Sequence, residues 1–127
     1  MQYMLDTHTL LWFLEGNPTL SKEARNIIEE TGSRKYVSIA SIWEIAIKVS
    51  LEKLKLAKSL EDFLFDLSQS NITILPIKLS HTLRLSKLDF FHRDPFDRLI
   101  IAQSIEENYE VLTRDSNFSS YDIVIRW

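Results

Sequence analysis

Short apolar runs alternate along the whole chain with longer segments whose apolar residues recur at helical spacing. We interpret the runs at 2–5, 36–38, 74–77, 111–113 and 123–125 as strands. Strands that alternate with helices predict a mainly parallel central sheet with helices on both faces. We therefore expect an α/β domain of three layers.

The segments between these strands carry start and stop signals of helices. Ser21 and Ser59 suit the N-cap position, and Gly16 and Gly32 follow predicted helices. A proline in the run at 74–77 pushes that strand toward an edge or an end. The predicted helices lie at 10–14, from Ser21 to about residue 30, from Ser38 or Ser41 to about Leu54, from Ser59 to about Ser70, from Ser80 to about Lys87, and at 95–107.

The clearest helix start is Asp94-Pro95-Phe96-Asp97. Asp94 suits the N-cap, Pro95 suits the first helical position, and Asp97 lies three residues after the cap, near the positive end of the helix. Taken alone, the two acids need no further function, because Asp-Pro-x-Asp before an apolar run is an ordinary helix start.

The composition is that of one globular domain, which we expect to span residues 1–127. Of these residues, 45% are hydrophobic and 26% are charged. The lack of cysteine excludes disulfides and thiolate ligands and fits a cytoplasmic protein. The apolar N-terminal stretch contains Asp6 and His8 and no basic segment, so it predicts neither a signal peptide nor a membrane span. A net charge of −3 gives no general attraction to nucleic acid.

Four acids are predicted to lie at one edge of the sheet. Asp6 follows the first predicted strand, and Asp115 follows the fourth by two residues. Glu44 and Asp97 lie in the opening turns of two helices. Helix N-termini and the carboxyl ends of parallel strands share one edge of a sheet, and ligands bind there. We therefore expect the four carboxylates to converge at this edge.

Four ionised carboxylates cannot share a small space, because like charges raise one another's pKa. A hard divalent cation resolves the conflict by accepting oxygen ligands, and neither histidine nor thiolate is required. Mg²⁺ or Mn²⁺ is the expected ion. Such a cation also converts an acidic pocket into a phosphate site, which answers the objection from net charge.

The acids have ordinary structural explanations as well. Asp6 can cap the first helix, and Asp115 can be a turn residue. Glu44 can form a capping box with Ser41 and an ion pair with Lys48, one turn later. Glu44 is nevertheless the least ordinary of the four, because its immediate neighbours are apolar and an unpaired charge near a core is costly.

Threonines and basic residues accompany the acids in the sequence. Thr7 and Thr113 can hydrogen-bond the carboxylates or a water on the cation, although strand-end packing explains both equally well. Four basic side chains are candidate phosphate contacts, with solvated surface charge as the alternative. These are Lys48, Arg93, Arg98 and Arg114.

The three histidines are weaker signals. His8 can hold the site through a hydrogen bond beside Asp6, whereas His81 and His92 are expected at surface or capping positions. No His-x-x-x-His spacing predicts a zinc site.

The order and spacing of these motifs resemble a known family, the PIN-domain ribonucleases of the VapC toxin type. The resemblance spans nearly the whole chain, and the Trp-Glu-Ile block together with Asp-Pro-Phe-Asp-Arg is specific. The motifs that carry it are DTH at 6–8, SIWEIAIK at 41–48, HRDPFDRLIIAQ at 92–103 and LTRD at 112–115.

The resemblance implies a PIN-like domain in which Asp6, Glu44 and Asp97 are the core metal-site acids and Asp115 fills a more variable fourth position. Asp94 is then mainly a helix cap. The implied activity is Mg²⁺- or Mn²⁺-dependent endonuclease cleavage of RNA, with toxicity controlled by a small antitoxin protein and with a homodimer as the expected assembly. A cation held by Asp6 and Asp97 would orient water and neutralise phosphodiester oxygens.

Two other classes of function stay open. A non-catalytic α/β binding or assembly module would tolerate loss of the acids, and the bulky apolar helices around Trp12 and Phe65 can form an interface with a second copy or an antitoxin. A phosphotransfer domain is less well matched. The phosphatase type needs an acid where this chain has His8. The receiver type needs paired acids near its first strand and a late lysine, and we find neither in this sequence.

Overall fold

The computed structural model describes residues 1–127 and contains a five-stranded sheet whose neighbouring strands are all parallel. The strands lie in the order β3-β2-β1-β4-β5, so β1 is central. This confirms the predicted α/β class with a parallel sheet. The strand bounds are β1 Gln2–Leu5, β2 Arg34–Ser38, β3 Ile72–Leu75, β4 Glu110–Leu112 and β5 Ile125–Arg126.

Six α-helices and one short 3₁₀ helix connect the strands. The hydroxyl of Ser21 caps α2 and that of Ser59 caps α4, as predicted. No helix is both long and apolar enough to cross a lipid bilayer. The helix bounds are α1 Thr7–Leu14, α2 Lys22–Glu29, α3 Ile39–Ser50, α4 Leu60–Ser68, α5 Leu79–Ser86, α6 Pro95–Glu107 and the 3₁₀ helix Ser116–Ser120.

The sheet separates two hydrophobic clusters. Successive residues of a strand point to opposite faces, and in β1 Leu5 joins one cluster while Met4 joins the other. The first cluster packs the sheet against α1, α2, α3 and α4, and the second packs it against α6 and the 3₁₀ helix. Helices therefore cover both faces, which is the three-layer arrangement predicted from the sequence.

Several element bounds differ from the predictions for local reasons. β3 ends before Pro76, which has no N–H to continue a ladder, and it lies at the sheet edge as expected. The last strand begins at Ile125 rather than at residue 123, although Val111 N already donates to Val124 O at 2.8 Å. α3 ends at Ser50, short of Leu54, because Glu52 adopts a left-handed φ of 57°.

Candidate active site

The carboxyl ends of β1 and β4 lie side by side where the strand order changes direction across the sheet. Asp6 directly follows β1, and Asp115 lies beyond the end of β4. The backbone N–H of Asp6 donates to Leu112 O at 3.3 Å, which ties the two strand ends together. Such a switch point is the ligand-binding position of open parallel sheets.

Asp6 is buried at this switch point, and each of its carboxylate oxygens accepts one hydrogen bond. Oδ1 accepts the N–H of Thr9 at 2.8 Å and so caps α1, and Oδ2 accepts the hydroxyl of Thr113 at 2.6 Å. Burial raises the pKa of Asp6, and the hydrogen bonds from Thr113 and Thr9 act in the opposite direction. The predicted capping role is therefore real, and it leaves each carboxylate oxygen with a further lone pair.

Glu44 is also buried, on the face of α3 that meets α1. Its Oε1 accepts the hydroxyl of Thr7 at 2.7 Å, and its Oε2 lies 2.8 Å from Lys48 Nζ. The hydrogen bond to Glu44 raises the pKa of Lys48. Ser38 rather than Ser41 caps α3, so the capping box with Ser41 is not formed; Ser41 instead lies 2.9 Å from the Thr7 hydroxyl.

Asp97 lies in the first turn of α6 with its side chain only 17% exposed. Its carboxylate accepts no hydrogen bond from the chain, and its nearest cationic candidate is His92 Nε2 at 3.5 Å, in a geometry that makes no hydrogen bond. Burial is the largest cause that raises the pKa of Asp97 to about 8. The charges that raise this pKa further are those of Asp94, Asp6, Asp115 and Glu44.

The charges of the other three predicted acids are among the causes that raise the pKa of Asp97, so the four acids lie within electrostatic range of one another. Burial and these charges both favour the protonated, neutral form of the Asp97 carboxyl group. A cation that replaces this proton would neutralise the same charges.

Asp115 combines a turn role with its position beside the site. Its Oδ1 accepts the N–H of Asn117 at 2.9 Å and so caps the 3₁₀ helix. Its own N–H donates to the Thr113 hydroxyl oxygen at 3.0 Å. Because the same hydroxyl donates to Asp6, Thr113 connects the first and the last of the four acids.

The donor chemistry of this cluster fits a hard divalent cation, although the ligands are not preformed. The four acids offer only carboxylate oxygens, which Mg²⁺ and Mn²⁺ prefer, and the Asp97 oxygens accept no hydrogen bond from the chain. No group of three or more Asp, Glu or His side chains is arranged to hold an ion at once. Binding of such a cation would therefore require movement of at least some of these side chains.

Residues 3–124 match the family model described as "PIN domain", which covers nearly the whole chain.

The chain belongs to the PIN-domain family.

Relatives of this PIN domain include a protein named as a ribonuclease and a solved VapBC structure. The chain is 28% identical over 120 residues to "Ribonuclease VapC22" of Mycobacterium tuberculosis, covering 93% of this chain and 90% of that protein. Among solved structures, it resembles VapBC2 of Rickettsia felis bound to a promoter DNA fragment, with a TM-score of 0.76, 20% identity and coverage of 99% and 98% of the two chains.

A second solved structure has the same fold. VapBC-1 of nontypeable Haemophilus influenzae gives a TM-score of 0.71 at 16% identity, with coverage of 99% of this chain and 97% of that one. These findings confirm the predicted resemblance to PIN-domain ribonucleases of the VapC type.

The candidate phosphate contacts of this PIN domain fall into different environments. Arg93 and Arg114 are exposed, and their side chains make no hydrogen bond or ion pair within the chain. Lys48 is engaged by Glu44. Arg98 is only 4% exposed, which leaves little of its guanidinium open to a phosphate.

The Arg98 guanidinium instead holds the loop before α6. It donates to the backbone oxygens of Asp89 and Leu88 at 2.8 and 3.2 Å and to the Tyr121 hydroxyl at 3.1 Å. It also lies 3.8 Å from the centre of the Phe90 ring. A charge that follows Asp97 directly in sequence is thus turned away from the acids.

The histidines also differ from the predictions. His8 makes no hydrogen bond to Asp6; it is exposed and its ring lies 5.5 Å from that of Trp12. His81 is fully buried rather than on the surface, although its ring does accept the N–H of Lys78 at the start of α5, a capping contact of the expected kind. His92 is largely buried beside Asp97.

Tyr121 is a site-supporting residue that sequence reasoning missed. Its hydroxyl contacts His92 Nδ1 at 2.9 Å and the Arg98 guanidinium at 3.1 Å, so it supports the loop that leads to Asp97. A tyrosine in a loop near the end of the chain carries no sequence signal for this role. The nearest signal is the His-Arg-Asp-Pro motif, because its histidine, His92, is the residue that contacts the Tyr121 hydroxyl.

Proposed function

We propose that this chain is a metal-dependent endoribonuclease that acts as the toxin of a toxin–antitoxin pair. The observation that carries the proposal is the Asp97 carboxyl group, whose pKa is raised to about 8 by burial and by the negative charges that include Asp6, Asp115 and Glu44. Acids that are buried close to other negative charges are typical of a cation-binding site. Membership of the PIN-domain family and the likeness to a ribonuclease of the VapC type support the same activity.

The roles of the side chains follow from their contacts. Asp6 and Asp97 would hold Mg²⁺ or Mn²⁺, with Glu44 and Asp115 close to it. The bound cation would supply Lewis-acid stabilisation of the phosphodiester oxygens and a more acidic water. Thr113 fixes the rotamer of Asp6, and Thr7 together with Lys48 fixes that of Glu44. Arg93 and Arg114 are exposed cations available for flanking phosphates.

The decisive experiment is RNA cleavage with and without Mn²⁺, using the wild type, Asp6→Asn and Asp97→Asn. We expect cleavage by the wild type that EDTA abolishes, and a loss of at least about a hundredfold in each variant. Asp122→Asn is the matched control, because Asp122 is an exposed turn residue without a side-chain partner. Cleavage by the two variants equal to that of the wild type would contradict the proposed role of the acids, and no cleavage with any metal would favour a non-catalytic binding module.

We further propose that this toxin pairs with a cognate antitoxin protein and forms a homodimer in the cytoplasm. Solved structures that share its fold include VapBC proteins of Rickettsia felis and Salmonella typhimurium bound to DNA, and a member of the VapBC family of toxin-antitoxin systems from Mycobacterium tuberculosis. The chain also exposes large apolar side chains that a partner would cover. They include Trp43, Phe65, Leu79, Leu83, Phe90 and Phe91.

Two measurements address these partners. The first is whether a short reading frame lies just upstream of the gene; co-expression of its product should give a stable complex in which RNA cleavage is suppressed. Light scattering of the isolated chain should give twice the mass of 14.9 kDa. A monomer at high concentration contradicts the homodimer but not the ribonuclease.

A further inference from the structure

A cavity of about 390 Å³ opens directly beside the acid cluster. Two of the four acids, Asp6 and Asp115, form one wall of it, and the other lining residues are not acids. Hollows of about 700 and 680 Å³ elsewhere on the surface involve none of the four acids. The lining residues of the smaller cavity are Asp6, His8, Trp12, Arg114, Asp115 and Ser116.

Aromatic rings line the cavity next to the acids. His8 and Trp12 are one turn apart on α1, so their side chains share a face of the helix, with ring centres 5.5 Å apart and planes inclined by 38°. Trp12 is partly buried and rests edge-on against Trp127, whose ring centre is 5.8 Å away. The Trp127 ring therefore restrains Trp12, whereas His8 is exposed to solvent.

The polar side chains of the cavity are unengaged. Arg114 is exposed and makes no hydrogen bond or ion pair within the chain, and the Ser116 hydroxyl is exposed and makes no hydrogen bond. An arginine beside two carboxylates keeps the local charge from being wholly negative. Proteins that bind single-stranded nucleic acids use flat aromatic rings to stack on bases, and guanidinium and hydroxyl groups to contact phosphates.

We propose that this cavity is a nucleobase subsite, which takes the base next to the phosphodiester bound at the acids. This inference rests on the proposed ribonuclease function and deepens it by giving the same site a position for one unpaired base. The base stacks on the rings of His8 and Trp12, and Arg114 contacts the adjoining phosphate. A duplex cannot use the subsite, because its bases are stacked on one another.

Cleavage kinetics of one RNA oligonucleotide test the subsite directly. The variants are His8→Ala, which removes the exposed ring, and His8→Phe, which restores a flat ring without nitrogen. We expect His8→Ala to raise KM between about five- and a hundredfold with kcat nearly unchanged, and His8→Phe to recover most of the loss, because stacking is tolerant of ring chemistry. Leu51→Ala, which removes an exposed apolar side chain just after α3, is the control for loss of surface apolar area.

Abasic substitution in the RNA provides the complementary change. Removing one base at a time should raise the wild-type KM strongly at a single position next to the cleaved bond. The same abasic RNA should raise the KM of His8→Ala only slightly, because the base and the His8 ring form one and the same contact. Additive losses would overturn the stacking subsite, as would a His8→Ala KM equal to that of the wild type or His8→Phe behaving like His8→Ala.

Binding measured without cleavage separates this inference from the proposed function. The fluorescence anisotropy of a labelled RNA with a non-cleavable linkage at the cleaved bond is followed in Mg²⁺ with the wild type and with His8→Ala. Base-dependent binding that His8→Ala weakens supports the subsite even if the wild type cleaves no ordinary RNA, which would contradict only the nuclease. Cleavage by the wild type with unchanged binding in the His8 variant contradicts only the subsite, and absence of any RNA binding overturns it as well.

A protein occupant would give a different result. If His8→Ala left the RNA KM unchanged and instead weakened inhibition by the co-expressed antitoxin, the cavity would bind an antitoxin side chain, and the nucleobase subsite would be wrong.

Discussion

Asp97 differs from the other three acids in having no hydrogen-bond donor from the chain. Asp6, Glu44 and Asp115 each accept at least one, from Thr113, Thr7 and a backbone N–H respectively. The charge of Asp97 is therefore the least compensated, although its position three residues after a helix cap looks ordinary in the sequence. A free carboxylate that the fold does not satisfy is the one most open to an external cation.

The first prediction concerns pH and the metal-free protein. The folded chain keeps a proton on Asp97 up to a pKa of about 8, whereas the unfolded chain loses it near its ordinary pKa of 3.8. The free energy of unfolding contributed by this group therefore falls as pH rises from about 4 to about 8. In EDTA, Asp97→Asn should remove this fall and be more stable than the wild type at pH 8.5, by on the order of 1–3 kcal/mol.

Urea unfolding of the wild type, Asp97→Asn and Asp122→Asn across that pH range is the measurement. The exposed Asp122 variant should follow the wild-type curve. A wild-type stability that rises between pH 5 and pH 8, with Asp97→Asn parallel to it, would contradict the prediction.

At the scale of elements, the cap of α6 positions Asp97. Asp94 Oδ1 accepts the N–H groups of Phe96 at 2.9 Å and of Asp97 at 3.1 Å, so it holds the turn that presents the Asp97 carboxylate. Asp94→Ala should lower the free energy of unfolding by about 0.5–2 kcal/mol. It should also lower RNA cleavage by about ten- to a hundredfold, because small displacements of reacting groups are costly.

Ser59→Ala is the control for Asp94→Ala, because it removes the cap of a different helix. Ser59 caps α4 in the same way, at 3.1 Å from Asp62 N, and α4 carries none of the four acids. Its substitution should cost a similar stability and leave cleavage unchanged. If both variants lose activity in proportion to stability, the α6 cap has no special role in placing Asp97.

The packing of α5 on α6 depends on a buried polar contact. His81 Nε2 lies 2.7 Å from Glu107 Oε2, and this hydrogen bond is the main cause that lowers the pKa of Glu107. Glu107→Gln should therefore lower the free energy of unfolding by about 1–2 kcal/mol at pH 7, and the difference should shrink as acid protonates Glu107 in the wild type.

Chemical denaturation at pH 7 and pH 3.5 measures this difference. Glu106→Gln is the neighbouring control, since Glu106 pairs with Arg84 at the surface, and such pairs contribute between about 0 and 1 kcal/mol. Equal losses in both variants would show that the buried His81 contact adds nothing beyond a surface pair.

At the scale of the whole molecule, a cation that binds only the folded cluster must stabilise the fold. Saturating Mn²⁺ should raise the unfolding temperature of the wild type, with a gain of about 2.7 kcal/mol at a hundred times the dissociation constant. Asp6→Asn and Asp97→Asn should lose most of this shift, and Asp122→Asn should keep it. Differential scanning calorimetry with Mn²⁺ and with EDTA measures the shift; equal shifts in all four proteins would place the ion elsewhere.

The order of the elements and the edge that carries the acids could be predicted from the sequence, because both depend on periodicity and on capping residues such as Asp94 and Ser59. The contacts of individual basic side chains could not be predicted. Arg98 follows Asp97 in the sequence, yet its guanidinium turns toward the oxygens of Leu88 and Asp89, which only the folded loop brings within reach. The partners of His92 were equally hidden, since Tyr121 is 29 residues away.

The candidate site was predictable as a set of residues but not as a geometry. Sequence position places Glu44 and Asp97 at helix starts, but the hydrogen bonds that hold Glu44 come from Thr7 and Lys48 on two different helices. Strand ends were misplaced by one or two residues where ladder pairing, rather than apolar content, decides where a strand stops. Which carboxylate lacks a partner emerges only from the packed structure.

The place of β4 beside β1 in the sheet has a consequence for how the protein is made. β1 and Asp6 are synthesised well before β4, which pairs with β1 on that side, and well before Asp97 and Asp115. A nascent chain on the ribosome that stops before residue 97 has an open edge on β1 and only two of the four acids. A ribosome surrounded by RNA can therefore release an unfinished copy without exposing that RNA to an assembled acid cluster.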